Sequence, residues 1–374
     1  MAATGETSAE RVKVWDVPTR LFHWLLAGSF AVAWFTHEHD RYLDVHVFAG
    51  YLFFGLLLFR LVWGFAGGCY ARFHAFNYSR RAARDYLLAT LRGDVPRHLG
   101  HNPAGAWAIF FMLGLGLAVA LTGVLVLGGE EGHGPFAGWL SFSAAGVARE
   151  LHEMTAVSML VLVLVHLAGV AFESWRHREN LVAAMITGYK SGRGMSTRVY
   201  AGVGVLMLVV VLVAAGFQFM GYASATAGKP YLPFAGPALP ENATWNRECG
   251  SCHLAFHPRL LPARSWDALL DGQANHFGDD LGLDAATLTE LREFARQNAA
   301  ESAQTEAAWK INRSVPAQAV PLRITETAYF QHQHDEISAS VWKRPKIGSQ
   351  SNCIACHSGA EKGNFSEDYV RIPR

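Results

Sequence analysis

Four of the chain's five cysteines fall in two short copies of one pattern, Cys249-Gly-Ser-Cys252-His253 and Cys353-Ile-Ala-Cys356-His357. Two thiols three positions apart can form thioethers with the two vinyl groups of a haem, and the adjacent histidine then lies over the iron. This is the attachment chemistry of c-type haem. A redox dithiol or a zinc knuckle uses the same spacing. Zinc, however, would need both pairs to converge, and neither alternative explains a histidine after each pair. The fifth cysteine, Cys69, reads as a small buried residue without chemistry.

Four histidines form a second set: His23, His46, His152 and His166. Each falls in, or at the end of, a stretch apolar enough to cross a bilayer, where ionisable side chains are costly and usually functional. An isolated histidine in such a place is ordinarily a hydrogen-bonded core residue. This arrangement argues otherwise. His152 and His166 are 14 residues apart, nearly four helical turns, so they share one helix face about 21 Å apart along the axis.

The elements that position these residues are apolar helices. The chain has 374 residues, 51% hydrophobic and only 17% charged. Charge is absent from five long stretches, Leu21–His37, Val45–Phe59, His98–Gly129, Met154–Phe172 and Val199–Gly228. Crossing the hydrocarbon takes about 20 helical residues. The fourth stretch extends back to His152, and the second continues past Arg60 to Phe65, with the arginine expected to snorkel from a helix end. Five spans are expected, which excludes a single soluble globule. The net charge of +1 gives no basic field for nucleic acid. No cleavable leader is apparent, so the first span reads as an uncleaved anchor.

Basic residues flank the spans asymmetrically. Arg11, Lys13 and Arg20 precede the first span. Arg72, Arg80, Arg81, Arg84, Arg92 and Arg97 lie between the second and third, and Arg176, Arg178, Lys190, Arg193 and Arg198 between the fourth and fifth. The opposite side holds only Arg41 and Arg149, beside Glu38, Asp40, Asp44, Glu130 and Glu131. The positive-inside rule then places the amino terminus in the cytoplasm and the carboxyl-terminal tail outside. Covalent haem attachment takes place on that outer face of a bacterial inner membrane, so two separate arguments agree.

With this topology, depth pairs His46 with His152 near the outer surface and His23 with His166 near the inner one. Two histidines on facing helices at one level make a bis-imidazole clamp for haem iron. The expected fold is all-α. A cytochrome-like membrane domain spans 1–198, a fifth transmembrane helix 199–227, a proline-rich linker 228–242 and a loop-rich, α-helical dihaem domain 243–374. The linker carries Pro230, Pro233, Pro237 and Pro240. Within the tail, Asp284–Asn298 reads as one amphipathic helix and much of the rest as loops. His37, His39, His74, His98, His133 and His177 read as solvated. His101 precedes Asn102-Pro103, which fits a helix N-cap with proline at the first helical position; contact with a quinone head is the alternative for His101. No nucleotide-binding glycine fingerprint, catalytic triad or carboxylate pair stands out, so no catalytic residue is assigned.

The segment Trp15-Asp16-Val17-Pro18-Thr19-Arg20-Leu21-Phe22-His23-Trp24 resembles the opening of the bacterial cytochrome b561 family, related to the cytochrome b subunits of nickel–iron hydrogenases and formate dehydrogenases. His101-Asn102-Pro103-Ala104-Gly105, Glu150-Leu151-His152-Glu153 and Met185-Ile186-Thr187-Gly188-Tyr189-Lys190 are similar to the same family, which covers about Val12 to Gly194. The resemblance implies two b-haems on cross-helix histidine pairs and quinone exchange beside the inner one, at positions matching Asn102 and Gly105. The tail, from about Ala243 to Arg374, resembles the dihaem cytochrome c family through its two Cys-x-x-Cys-His motifs, Leu261-Pro262-Ala263-Arg264-Ser265-Trp266, His276-Phe277-Gly278 and Pro321-Leu322-Arg323-Ile324-Thr325. That resemblance implies histidine as the distal ligand of both irons. His276 and His334 occupy the matching positions, His257 and His332 are rivals, and which of them serves which haem stays open.

The expected function is a tetrahaem electron conduit with two b-haems and two c-haems. It would run from quinol to a periplasmic acceptor such as a soluble cytochrome, in the inner membrane and in contact with lipid. Alternatives are a superoxide oxidase that reduces quinone, or a cytochrome b anchor for a separate periplasmic dehydrogenase. The sequence leaves haem potentials, direction of flow and a homodimer open.

Overall fold

The structure is a computed structural model that describes residues 11–37, 42–94, 96–197, 199–223, 238–366 and 369–374. Among these residues the fold is helical, with one two-stranded ladder, β1 (Arg11–Lys13) against β2 (Tyr189–Ser191). The chain divides into two compact units. One comprises Met1–Thr36, Val45–Val126 and Val147–Met220, the other His37–Asp44, Leu127–Gly146 and Gly221–Arg374.

The first unit is built on α1 (Val17–Thr36), α2 (Leu43–Ala66), α4 (Pro103–Glu130), α5 (Phe142–His177) and α7 (Ala201–Ala223), with α3 (Arg80–Leu91) and α6 (Leu181–Thr187) between them. Asp16 starts α1: its Oδ1 accepts from the Thr19 amide at 2.8 Å, and its Oδ2 from Gly68 at 3.1 Å. Asn102 starts α4 with Pro103 behind it, accepting from the Gly105 amide at 2.6 Å, as its sequence context indicates. Asn180 caps α6, and Gly188 ends it with φ +90, a left-handed conformation that favours glycine. Leu56, Phe59, Trp63 and Leu208 pack around Phe22; Phe53, Leu57, Leu113, Val119 and Met159 form a neighbouring cluster. Apolar side chains spaced three or four apart face outward on α5 (Val157, Val161, Leu164) and on α7 (Leu206, Val210, Val213, Phe217). An outward apolar face on a long helix suits lipid rather than water.

Two expectations change. Five spans were predicted, whereas four helices, α2, α4, α5 and α7, are long and apolar enough to cross a membrane. The first stretch does form a 20-residue helix, but Arg20, His23 and its tryptophans dilute its apolar character. Arg60 does not snorkel. It is 5% exposed, donates to the Ala71 carbonyl at 3.0 Å and lies over the Phe73 ring at 4.7 Å. The chain after α2 folds back and supplies a carbonyl and an aromatic face, so protein replaces interfacial water around the guanidinium.

The second unit is a set of short helices: α8 (Ala243–Cys249), α9 (Ala263–Asp271), α10 (Ala285–Gln297), α11 (Glu306–Ser314), α12 (Ala328–Gln333) and α13 (Ala339–Trp342). Only α10 was anticipated; the others have fewer than ten residues, too few for periodicity to stand out. Trp245, Leu261, Trp266, Leu291 and Phe294 form its main core. Within this unit Lys310 bridges Glu131 at 3.1 Å and Glu306 at 3.0 Å. Residues 224–237, which hold most of the expected linker, lie outside the described residues.

Candidate haem-binding sites

The opening motif explains the placement of His23. Asp16 receives the Trp63 indole N–H as well as its own helix cap, Arg20 donates to the Ile186 carbonyl, and the β1–β2 ladder ties the segment before α1 to residues 189–191. The start of α1 is therefore fixed from three directions. His23 and His166 lie within range of each other's charge. The His23 Nδ1 is buried without a hydrogen-bond partner among the described residues. Burying an imidazole nitrogen in this way is costly unless a ligand engages the ring.

His46 on α2 and His152 on α5 face each other with ring centroids 6.1 Å apart and planes at 85°. The Nδ1 of His46 donates to the Ala33 carbonyl at 2.9 Å. The Nδ1 of His152 donates to the Val119 carbonyl at 2.9 Å, with Thr122 Oγ1 at 3.2 Å. A carbonyl only accepts, so each Nδ1 carries the proton and each Nε2 keeps a lone pair for a metal. A side chain at Gly123 would place its Cβ 2.9 Å from His152 Cε1. Only glycine leaves the ring this room.

The tail repeats the motif twice. Cys249 ends α8, and His253 faces His276 with centroids 6.3 Å apart and planes at 31°. A tight turn presents His276, with Phe277 at φ +55 and Gly278 at φ +114. His357 faces His334 with centroids 6.1 Å apart and planes at 66°. The Nδ1 of His253 donates to the Leu254 carbonyl at 2.7 Å, and that of His334 to the Phe330 carbonyl at 2.8 Å. Cys249, Cys252, Cys353 and Cys356 are unpaired thiols, as thioether formation requires. Burial pushes the Cys249 thiol up to about 12 and that of Cys353 up to about 11, which disfavours a thiolate-based redox pair. Among the described residues no three His, Cys, Asp or Glu side chains gather as a zinc ion would need.

These distances fit haem. Two imidazoles on opposite sides of one iron, each with a metal–nitrogen distance of about 2.0 Å and a ring centre about 1.1 Å farther on, have centroids about 6 Å apart. Three of the four expected histidine pairs meet that spacing. The rivals make other contacts. His257 is buried, accepts from the Arg259 amide at 3.4 Å and is pushed down to about 4 by burial and then by the Arg259 charge. His332 stands 3.9 Å from Asp335 and edge-on to Phe142.

Near the start of α4, His101 is enclosed by Trp15 and Phe76, at ring distances of 4.8 and 4.5 Å. Burial, followed by the nearby charges of Arg60, Lys190 and His166, pushes it down to about 3, so the ring is neutral rather than solvated and charged. Tyr86, Glu173, Glu179 and Lys190 gather beside Asn102. Sequence reasoning missed this group; the signal available was Glu173, a carboxylate immediately after the apolar run that ends at Phe172.

Residues 14–188 match the family described as prokaryotic cytochrome b561, and residues 245–365 that described as dihaem cytochrome c. Among curated relatives, a probable Ni/Fe-hydrogenase B-type cytochrome subunit of Rhizobium leguminosarum bv. viciae is 28% identical over 223 residues, covering 50% of this chain and 92% of the relative. A protein with the same description from Azotobacter chroococcum is 26% identical over 212 residues, covering 48% and 88%. Among solved structures, a dihaem cytochrome c from Rhodobacter sphaeroides is 39% identical, covering 34% of this chain and 100% of that one, with a TM-score of 0.31. One from Shewanella baltica is 41% identical, covering 36% and 94%, with a TM-score of 0.30.

Proposed function

We propose that the chain, which matches the prokaryotic cytochrome b561 family over residues 14–188 and the dihaem cytochrome c family over residues 245–365, carries electrons between the quinone pool and a periplasmic redox protein. His23 with His166, and His46 with His152, would hold two b-haems. Cys249 and Cys252 would tether one c-haem, ligated by His253 and His276; Cys353 and Cys356 would tether the other, ligated by His357 and His334. Haem supplies one-electron exchange, and six-coordinate bis-histidine iron has no open position for bond-making chemistry. The protein's own part is to fix the imidazoles, set their tautomers through carbonyl acceptors and keep water from the rings. Asn102 and Gly105, at the start of α4, would receive the quinone head.

The observation that carries this reading is the recurrence of one ring spacing, 6.1 to 6.3 Å, at three histidine pairs in one chain. Charge asymmetry supports an inner-membrane protein with a cytoplasmic amino terminus and a periplasmic tail, a topology that needs the 20-residue α1 to cross together with α2, α4, α5 and α7, and quinol to cytochrome c is the favoured direction. Substituting His166→Ala tests it: quinol oxidation and the inner b-haem are lost while both covalent haems remain. Unchanged quinol oxidation in that variant overturns the scheme.

A second reading has support of its own. The curated relatives are described as hydrogenase cytochrome subunits, which favours an anchor that takes electrons from a separate periplasmic dehydrogenase. Stoichiometric co-purification of such a partner from native membranes distinguishes it from a self-sufficient quinol oxidase. Superoxide oxidation gains nothing comparable: Arg149, one of two cations expected at an outer entrance, is bonded to Glu153 at 3.0 Å.

A further inference from the structure

Around Asn102, the segment before α4, the end of α5, the start of α6 and β2 enclose a small polar cleft of about 40 Å³, room for a few waters. Two glutamates border it in different company. Glu179 is neutralised by cations, with Arg97 at 3.1 Å and Lys190 at 3.7 Å. Lys190 is also held by the His98 carbonyl at 3.1 Å. Glu173 meets proton-carrying groups instead. The buried Tyr86 hydroxyl donates to its Oε1 at 2.6 Å, and His177 Nε2 stands 3.3 Å from its Oε2. That nitrogen is buried and is not aligned for a hydrogen bond, but the separation is short enough for direct ion pairing when the imidazole carries a proton. Asn102 lines the same cleft as Glu173. Burial and the Glu173 carboxylate together raise the phenol, so it remains a donor.

We propose that Glu173 is the proton acceptor of the quinone site, with Tyr86 connecting it to Asn102 and His177 connecting it to the cytoplasmic side. This rests on the quinone reading above. Oxidising one quinol to quinone breaks two O–H bonds and yields two protons and two electrons. The electrons would leave one at a time for the haem that His23 and His166 would hold. For each proton, the Tyr86 oxygen takes the quinol proton as its own phenolic proton passes to the Glu173 carboxylate, which then releases it past His177 and cleft water. Quinone reduction runs the same path backwards. Besides Tyr86 and His177, the charged and titratable neighbours of Glu173 are His98 and Arg97 before α4, Glu179 after α5, and Lys190 on β2.

The test uses the full haem-loaded chain in detergent, decylubiquinol as donor and ferricyanide as acceptor. Glu173→Gln is expected to slow turnover about tenfold or more, to leave KM within about twofold, and to flatten the pH profile, with haem content and reduced spectrum unchanged. Glu173→Asp restores part of the rate. Redox-induced infrared difference spectra provide a readout without turnover: a protonated-carboxyl band present in the parent protein disappears in Glu173→Gln. If Glu173→Gln fails to accumulate with full haem, Tyr86→Phe decides, because it keeps the buried ring and removes only the hydroxyl; a tenfold loss supports the relay and a parental rate overturns it. Parental rate, pH profile and infrared band in Glu173→Gln also overturn it. A parent protein that decylubiquinol cannot reduce overturns the quinone reading itself.

Discussion

In the proposed reading the membrane unit and the tail solve one problem, holding two imidazoles about an iron, with opposite dependence on long-range structure. In the membrane unit the carbonyl that fixes each ring lies 13 residues away for His46 and 33 residues away for His152, on another helix each time. In the tail the corresponding carbonyls are one residue from His253 and four from His334. The membrane site therefore exists only once helices have packed. The tail sites are organised by short local turns next to the cysteines that would anchor haem. Disturbing packing should unload the first kind, whereas removing a ligand should only retune the second.

The largest expected effect separates the two directly. His152→Ala would remove a proposed clamp with no covalent backup, and on the proposal of two non-covalent haems the acid–acetone-extractable haem of the purified protein should fall to about half. His276→Ala should leave both haems of the tail attached and change only the coordination of one iron, read as a high-spin feature in the oxidised spectrum. Equal haem loss in both variants would remove the distinction.

A smaller effect isolates packing from ligation. Gly123 carries no functional group, yet a Cβ there would stand 2.9 Å from His152 Cε1. Gly123→Val should displace that ring, at an overpacking cost of about 1–3 kcal/mol, lowering occupancy of the outer b-haem and leaving the covalent haem bands untouched. Smaller again is Thr122→Val. It removes one of two acceptors near the His152 Nδ1 while the Val119 carbonyl remains. A lost hydrogen bond of about 0.5–1.5 kcal/mol corresponds to a midpoint shift of about 20–60 mV for one electron, measurable by redox titration of the outer b-haem.

The same contrast explains what could be read from the sequence. The dihaem cytochrome c resemblance is legible because each Cys-x-x-Cys-His motif, Cys249 to His253 and Cys353 to His357, is confined to five consecutive residues. The long apolar runs are legible because bilayer thickness imposes a length, and both family resemblances agree with the families matched. The partners of His46 and His152 were not, because every residue has a carbonyl and only packing selects those of Ala33 and Val119. Pairing of His276 with His253 and of His334 with His357 likewise awaited the turn at Phe277-Gly278 and the short α12. Arg60 was misread for a related reason: what satisfies its charge is a carbonyl 11 residues on, after the chain has reversed. Tyr86 and Glu173 are 87 residues apart, and although Glu173 stands out at the end of an apolar run, nothing local joins it to Tyr86.

The smallest effect tests whether the tail's organisation is as local as its hydrogen bonds suggest. Asp284 starts α10, accepting from the amides of Ala286 and Thr287, each at 2.9 Å, and from the Thr287 hydroxyl at 3.0 Å. The Thr287 bonds, chiefly, hold its carboxyl below the usual carboxylate range. A depressed folded-state value means that the cap contributes fully above the unfolded value, about pH 4, and loses that contribution as pH falls through the folded one. Asp284→Ala should therefore lower the melting temperature of the tail by a few degrees at most at pH 7, with a smaller difference near pH 3. Soret circular dichroism of the covalent haems reports this melting. Because α10 contributes Leu291, Phe294 and Ala295 to the core around Trp245, the loosened helix end should reach the His253–His276 site before the His334–His357 site. The b-haem bands should not move, since nothing in that cap belongs to the membrane unit; a coupled shift there would mean that the two kinds of site share one folding transition.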